Sequence, residues 1–226
     1  MVNLKAREGH DAQVRRDGVE RLAAAVRELA DAAAETAVDR AALDEATGAL
    51  QLLTHRLRAA TDDDAYSGLV IKPVDYSIPE GPMPLNPILG ACSPMRPDAQ
   101  LRYCDGEIAG TATFSKRFVG PPGFAHGGIS AMLADQIVSA SPMAIGRRAI
   151  TKSLELRYLR PLPLGEEVVL WGVCEPDGEG FRARFTITAR GKTAVEGIAH
   201  LISYEQFERG YGQGATASGV RKPLGR

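Results

Sequence analysis

One helix-like run followed by four strand-like runs constrains the fold of this chain more than any other feature. Residues 129–141 (ISAMLADQIVSAS) have helical periodicity, which places on one side Ile129, Met132, Leu133, Gln136 and Ile137. Strand-like runs follow at 149–160, 166–174, 180–189 and 193–204, and tight turns such as PDGEG and RGK separate the later ones. Another alternating run, 106–118, precedes the helix. The order predicts an α+β fold in which a curved antiparallel sheet wraps around a central helix.

The N-terminal quarter of the chain has a different pattern. Residues 11–60 are rich in Ala, Leu, Arg, Glu and Asp and contain no Pro, which predicts helix. Apolar residues recur at alternating spacings of three and four in 19–33 and again in 43–60, but the two stretches do not share one heptad frame. We therefore expect a break near Asp39, which would cap the second helix. This arm packs on its own domain or a sister subunit, or it is a separate partner-binding coiled coil; both hypotheses stay open.

Composition divides the chain into four predicted parts. Residues 1–62 form the N-terminal helical arm. Residues 63–98 contain seven prolines, which forbid a long helix and predict an irregular wrap with at most one short strand. Residues 99–207 form the compact domain, and the Gly-rich, polar residues 208–226 form a flexible tail.

Charge and cysteine usage narrow the class of protein. The 226 residues carry a net charge of −1, so the chain lacks the overall positive charge that favours nucleic-acid binding. The polar start lacks the apolar core of a signal peptide, and no run approaches the roughly 18 to 20 apolar residues of a membrane span. Three widely spaced cysteines predict reduced thiols, and four histidines have no metal-ligand spacing. We expect a cytoplasmic protein with no membrane span and no metal.

A glycine-rich turn that leads into the central helix carries the chemistry. The turn, residues 120–128, has the sequence GPPGFAHGG, and the helix after it bears Asp135 in an otherwise apolar stretch. Helix N-termini expose unpaired N–H groups with partial positive charge, and such a site suits the oxyanion formed when a thioester carbonyl is attacked. Asp135 could supply the base or nucleophile that the attack needs. From the residues alone, ordinary turn chemistry and a buried anchoring Asp remain alternatives.

The segment HGGISAMLAD resembles the HGG-x(6)-D motif of the hotdog-fold thioesterases of the phenylacetate-degradation type. The branch that contains the mitochondrial long-chain acyl-CoA thioesterases is the most similar. NPILGACSP, GPPGFAHGG and TKSLELRYLRPLPLGEEV occur in that branch's order and spacing, so the resemblance covers roughly residues 85–205. It implies a hotdog fold and an acyl-CoA thioesterase of fatty acid metabolism. Medium- to long-chain acyl-CoA is the implied substrate, and no cofactor is implied beyond the coenzyme A of the substrate.

The resemblance also assigns roles to individual residues. It makes Asp135 the general base or nucleophile and the Gly127 N–H the oxyanion donor. His126 orients the loop and the substrate, and the Thr151 hydroxyl assists the carboxylate or the attacking water. One departure exists at Gly120, where many members of the superfamily carry an Asn or Gln that polarises the carbonyl.

Three further residues are expected to bind substrate. Gly128 lies in the turn, and Lys152 and Arg160 lie on the strand after the central helix. Ammonium and guanidinium groups bind phosphate well, so both could contact the phosphates of coenzyme A. Ordinary solvated strand charge is the alternative for these two.

Helix geometry predicts that the active form is a dimer. Gly127 and Asp135 are eight residues apart, which is about 12 Å along a helix axis. One substrate carbonyl must lie about 3 Å from both groups. Antiparallel helices of a two-fold dimer could place Gly127 of one subunit beside Asp135 of the other. We therefore expect homodimers with composite sites, which could pair into homotetramers. A non-catalytic acyl-CoA binding or sensor protein is the alternative function.

Overall fold

The computed structural model of the protein describes residues 2–61, 66, 69–70, 75–79 and 83–211. The described chain contains four α-helices: α1 (Val2–Glu35), α2 (Arg40–Arg58), α3 (Gly127–Ala144) and α4 (Tyr204–Tyr211). Its six strands are β1 (Asp98–Cys104), β2 (Glu107–Thr113), β3 (Ala149–Tyr158), β4 (Glu167–Asp177), β5 (Gly180–Ala189) and β6 (Lys192–Ser203). A short 3-10 turn, Lys116–Phe118, lies between β2 and α3.

The six strands form one antiparallel sheet in the order β1-β2-β4-β5-β6-β3. Buried and exposed residues alternate along β4 and β5, so one face of the sheet is covered. Helix α3 covers it and approaches closely at Gly172, where an added Cβ would lie 2.4 Å from the Ile137 Cγ2 atom. The predicted hotdog arrangement of a curved sheet around a central helix is confirmed.

The core lies between α3 and the sheet. Leu133, Ile137 and Val138 of α3 are fully buried against Phe185 and Ile187 of β5. Burial of each such side chain stabilises the fold by about 1.5–3 kcal/mol relative to exposure. The packing fixes the rotation of α3 about its axis and therefore decides which of its residues face outward.

Three segments differ from the sequence prediction. The first strand, β1, lies at Asp98–Cys104, where no definite strand was expected, because only two of its side chains are buried and the others are polar. The run predicted as a strand to residue 118 ends at Thr113 and continues as the 3-10 turn. At the other end, residues 204–211 form α4, although the last predicted strand included Tyr204 and the tail was placed from residue 208.

The N-terminal arm is two helices, as predicted. Asp39 caps α2, because its side chain accepts a hydrogen bond from the Ala42 N–H at 3.0 Å. Helix α1 packs on its own domain: Ala23 is buried, and the Arg27 guanidinium donates to the Ser93 carbonyl at 2.7 Å. Helix α2 has no buried residue. The two halves of the arm therefore have different environments.

Parts of three predicted segments lie outside the described residues. These are residues 1 and 62 of the arm, the gaps within the proline-rich wrap and residues 212–226 of the tail. Residues 83–97 of the wrap are a series of turns, and the division of the chain into four parts stays a prediction. Among the described helices, none combines the length and the apolar character that a membrane crossing requires.

Candidate active site

The turn before α3 is a closed loop held by backbone hydrogen bonds. The His126 N–H donates to the Phe118 carbonyl at 2.8 Å, and the Gly120 N–H donates to the Phe124 carbonyl at 2.9 Å. The Ala125 N–H reaches out of the loop to the Leu162 carbonyl at 2.9 Å. These bonds fix where the chain enters α3.

Gly120 lies against the first residues of the helix. A Cβ atom at this position would lie 2.7 Å from the His126 Cα atom and 3.1 Å from its N atom. Real Cβ atoms do not approach another atom at 2.7 Å, so no larger residue fits without moving His126. The packing of the loop therefore requires glycine at this position, where an Asn or Gln side chain would not fit.

His126 begins α3 as its N-cap residue. Its Nδ1 atom accepts a hydrogen bond from the Gly128 N–H at 3.0 Å, so in the neutral imidazole the proton lies on Nε2. Its carbonyl oxygen accepts from the N–H groups of Ile129 at 3.0 Å and Ser130 at 3.3 Å. The side chain and the carbonyl together hold the first turn of the helix.

The Gly127 N–H points away from the helix. It belongs to the peptide whose carbonyl, that of His126, is turned into the helix, and in a trans peptide the N–H and C=O groups point in opposite directions. Among the described residues, no group accepts a hydrogen bond from it. An unpaired N–H at a helix start is an available oxyanion donor.

Tyr158 fixes the next peptide, and sequence reasoning missed it. Its hydroxyl donates to the Gly127 carbonyl oxygen at 2.9 Å. The Gly127–Gly128 peptide is therefore held at both ends, by Tyr158 at its oxygen and by His126 at its N–H. Tyr158 ends the strand that also carries Thr151, and only the fold brings it to the turn.

Asp135 lies on the outward face of α3. Its neighbours Leu133 and Ala134 are fully buried, but Asp135 is exposed in the protomer and has no hydrogen bond or ion pair with any described residue. It is therefore not a buried anchor of its own domain. Helix α3 spans both Gly127 and Asp135, as the helix-rise argument for a composite site assumed.

The residue after Asp135 ties α3 to the proline-rich segment. The Asn86 side-chain amide donates to the Gln136 Oε1 atom at 2.7 Å. The Asn86 Oδ1 atom accepts from the N–H groups of Ile88 and Leu89, each at 2.9 Å. One side chain thus orders its own turn and positions it against the helix that carries Asp135.

Thr151 has a buried hydroxyl group that bears on the site. Its hydroxyl is buried, and no described residue forms a hydrogen bond with it. The pairing register of β3 with β6 shifts between Thr151 and Ser153, with Lys152 as the extra residue. Such bulges redirect side chains and are frequent next to active sites.

The two basic residues assigned to substrate binding, Lys152 and Arg160, lie on the exposed surface. Lys152 is exposed at the bulge. Arg160 is also exposed, and its guanidinium donates to the Thr193 carbonyl at 2.7 Å. The fold brings His126, Gly127 and Gly128 together in one turn, and it leaves the roles of Lys152 and Arg160 as predictions.

Comparisons with known proteins agree with this arrangement. The family model described as the thioesterase superfamily matches residues 122–175, a range that includes the turn from its third residue onward, Asp135 and Thr151. The crystal structure of a thioesterase superfamily protein is similar to the chain at 29% identity with a TM-score of 0.68, over 81% of this chain and 94% of that one. The chain is thus similar to the thioesterase superfamily both in this sequence segment and in its fold. The two matches support thioester hydrolase activity.

Two further solved structures are similar to less than half of the chain. A hypothetical thioesterase protein with coenzyme A from Streptococcus pneumoniae TIGR4 is 21% identical, with a TM-score of 0.44, over 47% of this chain and 88% of that one. Thioesterase superfamily member 2 from Mus musculus is 21% identical, with a TM-score of 0.42, over 47% and 81% respectively.

The buried thiols of the protein are poor nucleophiles. Burial raises the pKa of the Cys174 thiol to about 11 and also raises that of Cys92. Cys104 is exposed, and all three are free. Among the described residues, no three His, Cys, Asp or Glu side chains cluster as metal ligands would. The charged side chain nearest the turn along the helix is Asp135.

Proposed function

We propose that this protein is an acyl-CoA thioesterase in which the Gly127 N–H stabilises the oxyanion and Asp135 activates the attack. The observation that carries the proposal is the outward-pointing, unpaired Gly127 N–H, whose flanking groups are held by the N-cap contacts of His126 and by the Tyr158 hydroxyl. A donor that is held in place before the reaction stabilises developing charge without a cost of reorganisation.

The reaction proceeds through attack on the thioester carbonyl. In one route Asp135 removes a proton from water, a C–O bond forms and the carbonyl oxygen becomes an oxyanion. In the other route Asp135 itself attacks and forms an anhydride, which water then hydrolyses. In both, the C–S bond breaks, the thiolate of coenzyme A leaves and takes up a proton, and a free acid is released. The buried Thr151 hydroxyl assists the carboxylate or the water.

The acting unit of this proposal is a homodimer. Asp135 is exposed on the protomer and lies eight residues from Gly127 along a continuous helix, about 12 Å along the axis. One carbonyl cannot contact both groups of the same chain. Antiparallel α3 helices related by a two-fold axis would make two sites, each with Gly127 from one subunit and Asp135 from the other. Further pairing into a tetramer is part of the same expectation.

The substrate class follows from the resemblance of the sequence. Medium- to long-chain acyl-CoA and a role in fatty acid metabolism are what the most similar branch implies, with an aromatic acyl group as the alternative substrate. The cytoplasmic location that we propose rests on the three widely spaced cysteines. Release of free thiol from a panel of acyl-CoAs of graded chain length tests the substrate class directly. Gly128, Lys152 and Arg160 are the residues that we assign to substrate binding.

Two substitutions separate the donor from the acid. Asp135→Asn should lower turnover at least ~100-fold, the scale of a lost general base. Gly127→Pro removes the N–H and places a ring carbon where the hydrogen pointed, so it both deletes the donor and blocks its position; the helix should persist, because proline is tolerated in the first turn of a helix and the extended His126 backbone suits a following proline. It should lower kcat by ~100-fold or more, the scale of a lost oxyanion donor. Asp177→Asn, at an exposed ion pair with His200, is the control for a lost surface charge.

Mixing the two variants tests the composite site. A heterodimer of one Asp135→Asn chain and one Gly127→Pro chain should regain one working site of two. A chain carrying both substitutions, mixed with wild type, should retain no intact site in the heterodimer. If the first mixture stays inactive although heterodimers form, each site lies within one chain.

The binding alternative predicts a different result. A non-catalytic acyl-CoA binder would hold intact acyl-CoA for hours without thiol release. Such persistence across the whole panel, or near-normal turnover of Asp135→Asn, would contradict the proposal.

A further inference from the structure

We propose that α2 pairs with α2 of a second copy of this chain as an antiparallel two-helix coiled coil. The contact surface is the leucine stripe, defined as Leu43, Ala46, Leu50, Leu53 and Leu57. The four leucines are 39–49% exposed, which is unusual for an aliphatic side chain repeated on one face of a helix. The inference is independent of the catalytic residues.

The described part of the chain leaves α2 uncovered. No residue of the helix is buried. The described hydrogen bonds and ion pairs of its side chains join residues of the helix or its N-cap, such as Thr47 to the Leu43 carbonyl and Arg40 to Asp44. An isolated helix of this length is marginal in water, and most helix stability in proteins comes from packing of an apolar face. The stripe therefore needs a packing partner that the described residues do not supply.

The spacing of the stripe indicates that this partner is another helix. The residues recur every three and four positions, so they occupy the a and d positions of a heptad repeat, the seam of a coiled coil. Most of the positions beside the seam are small, namely Ala42, Ala49, Thr47 and Thr54, whereas Arg56 lies beside its C-terminal end. Small flanking residues let a second helix approach without displacing long side chains.

The charges of α2 select an antiparallel copy of itself. Asp44 and Glu45 lie in its first part, whereas Arg56 and Arg58 lie in its last turn. A parallel pair would gather the acidic parts of both helices at one end and the basic parts at the other. An antiparallel pair places the acidic part of one helix beside the basic last turn of the other, with Glu45 level with Arg58 of the partner subunit, and opposes the two helix dipoles favourably. A surface that is complementary to itself in this way is suited to a two-fold interface.

The sizes of the stripe residues support the same orientation. In an antiparallel coiled coil each a position faces a d position of the other helix. With the two-fold axis between residues 51 and 52, Ala46 faces Leu57 of the partner subunit and Leu50 faces Leu53 of the partner subunit. Small residues then face large ones at the ends, and two leucine layers fill the centre. A parallel pair would instead leave a gap at an Ala46–Ala46 layer.

Cysteine trapping in the full-length protein tests the pairing. All variants carry Cys104→Ser to remove the exposed native thiol. Chains with Leu50→Cys and chains with Leu53→Cys, bearing different tags, are co-expressed and mildly oxidised. We expect a disulfide between the two kinds of chain, at least fivefold more abundant than either like pair. The matched control is Gly48→Cys with Gln51→Cys, which has the same spacing on the opposite face and should not cross-link.

Other occupants of the stripe give distinct outcomes, and each would overturn the proposal. Equal trapping of Leu50→Cys with itself indicates a parallel pair. Trapping of Leu50→Cys with Val26→Cys indicates α1, which also has partly exposed apolar residues. Absence of any cross-link above control, in protein whose helix content by circular dichroism matches wild type, shows that no second copy covers the stripe. Flotation of the wild-type chain with anionic phosphatidylserine vesicles, abolished by Leu50→Asp, assigns the stripe to a lipid surface.

A charge exchange confirms the direction of the pair. Glu45→Arg should lower trapping in the antiparallel pair because it adds a positive charge level with Arg58 of the partner subunit. Chains that carry Glu45→Arg, mixed with chains that carry Arg58→Glu, should regain the trapping at that end. If the exchange has no effect in either combination, the antiparallel register proposed here is wrong.

Discussion

The Tyr158 hydroxyl donates a hydrogen bond to the Gly127 carbonyl oxygen at 2.9 Å, although the two residues are 31 positions apart. The aromatic ring also lies beside the turn, since a Cβ atom added at Gly127 would be 3.5 Å from the Tyr158 Cζ atom. The end of β3 thereby supports the first turn of α3. In the proposed mechanism Tyr158 is a positioning residue, because it acts on the oxyanion donor through the peptide that follows it.

Tyr158→Phe should lower kcat about 3- to 10-fold, because a neutral hydrogen bond contributes about 0.5–1.5 kcal/mol. The ring remains, so KM for acyl-CoA should stay within about twofold and the thermal midpoint should change little. Steady-state kinetics by thiol release measures both constants. Tyr204→Phe, which removes a hydroxyl from a residue on α4, is the matched control. If the fall in kcat is accompanied by a loss of thermal stability of the same size in free energy, Tyr158 has only a structural role.

The close contact of Gly120 with His126 gives a second prediction. Gly120→Ala places a Cβ 2.7 Å from the His126 Cα, so the helix start must shift. A displacement of about 1 Å in a positioned group can cost ~100-fold in rate, and we expect kcat/KM to fall at least tenfold. Thiol-release kinetics and thermal unfolding check the result.

The control for this loop variant is Gly18→Ala. Gly18 lies in α1, and an added Cβ there meets no atom within 4 Å. Activity should remain unchanged, and stability should stay the same or rise, since Ala favours helix over Gly by about 1 kcal/mol. An active Gly120→Ala enzyme with wild-type kcat/KM would show that the loop can relax without moving the turn.

How much the sequence predicted depends on whether a feature is local. The break of the arm at Asp39, the helix that starts at the HGG turn and the antiparallel meander were all predicted, because caps, periodicity and turn residues are close in sequence. The contact of Tyr158 with Gly127 and the contact of Gly120 with His126 could not be predicted, because they depend on how distant segments pack. The bulge after Thr151 has no signal in a strand of ordinary composition.

The assignment of Asp135 also depended on packing that the local sequence does not reveal. The sequence placed a carboxylate in an apolar stretch, but an apolar stretch does not say which side of a helix is covered. The structure turns Leu133 and Ala134 into the core and Asp135 outward. Resemblance supplied its role, and helix geometry supplied the expectation that a second subunit completes the site.

The Asn86 side chain yields a prediction about stability. It makes three hydrogen bonds, one to Gln136 and two from its own turn. Asn86→Ala removes all three and should lower the free energy of unfolding by about 1–3 kcal/mol. For a chain of this size that is roughly 2–4 °C in the thermal midpoint per kcal/mol. Asn86→Asp retains the acceptor for Ile88 and Leu89 and should destabilise the protein less. If it lowers the free energy of unfolding as much as Asn86→Ala does, the contact with Gln136 accounts for the effect.

Thiol reactivity tests whether a cysteine contributes to turnover. Burial raises the pKa of Cys174 to about 11, so at pH 8 only about one thiol in a thousand is ionised. Cys92 is also buried with a raised pKa, whereas Cys104 is exposed. Iodoacetamide at pH 8, followed by peptide mass spectrometry, should therefore modify Cys104 at least tenfold faster than the other two. The modified enzyme should retain its acyl-CoA turnover, as should Cys104→Ser. Rapid labelling of Cys174 together with loss of activity would instead point to a thiol nucleophile and remove Asp135 from that role.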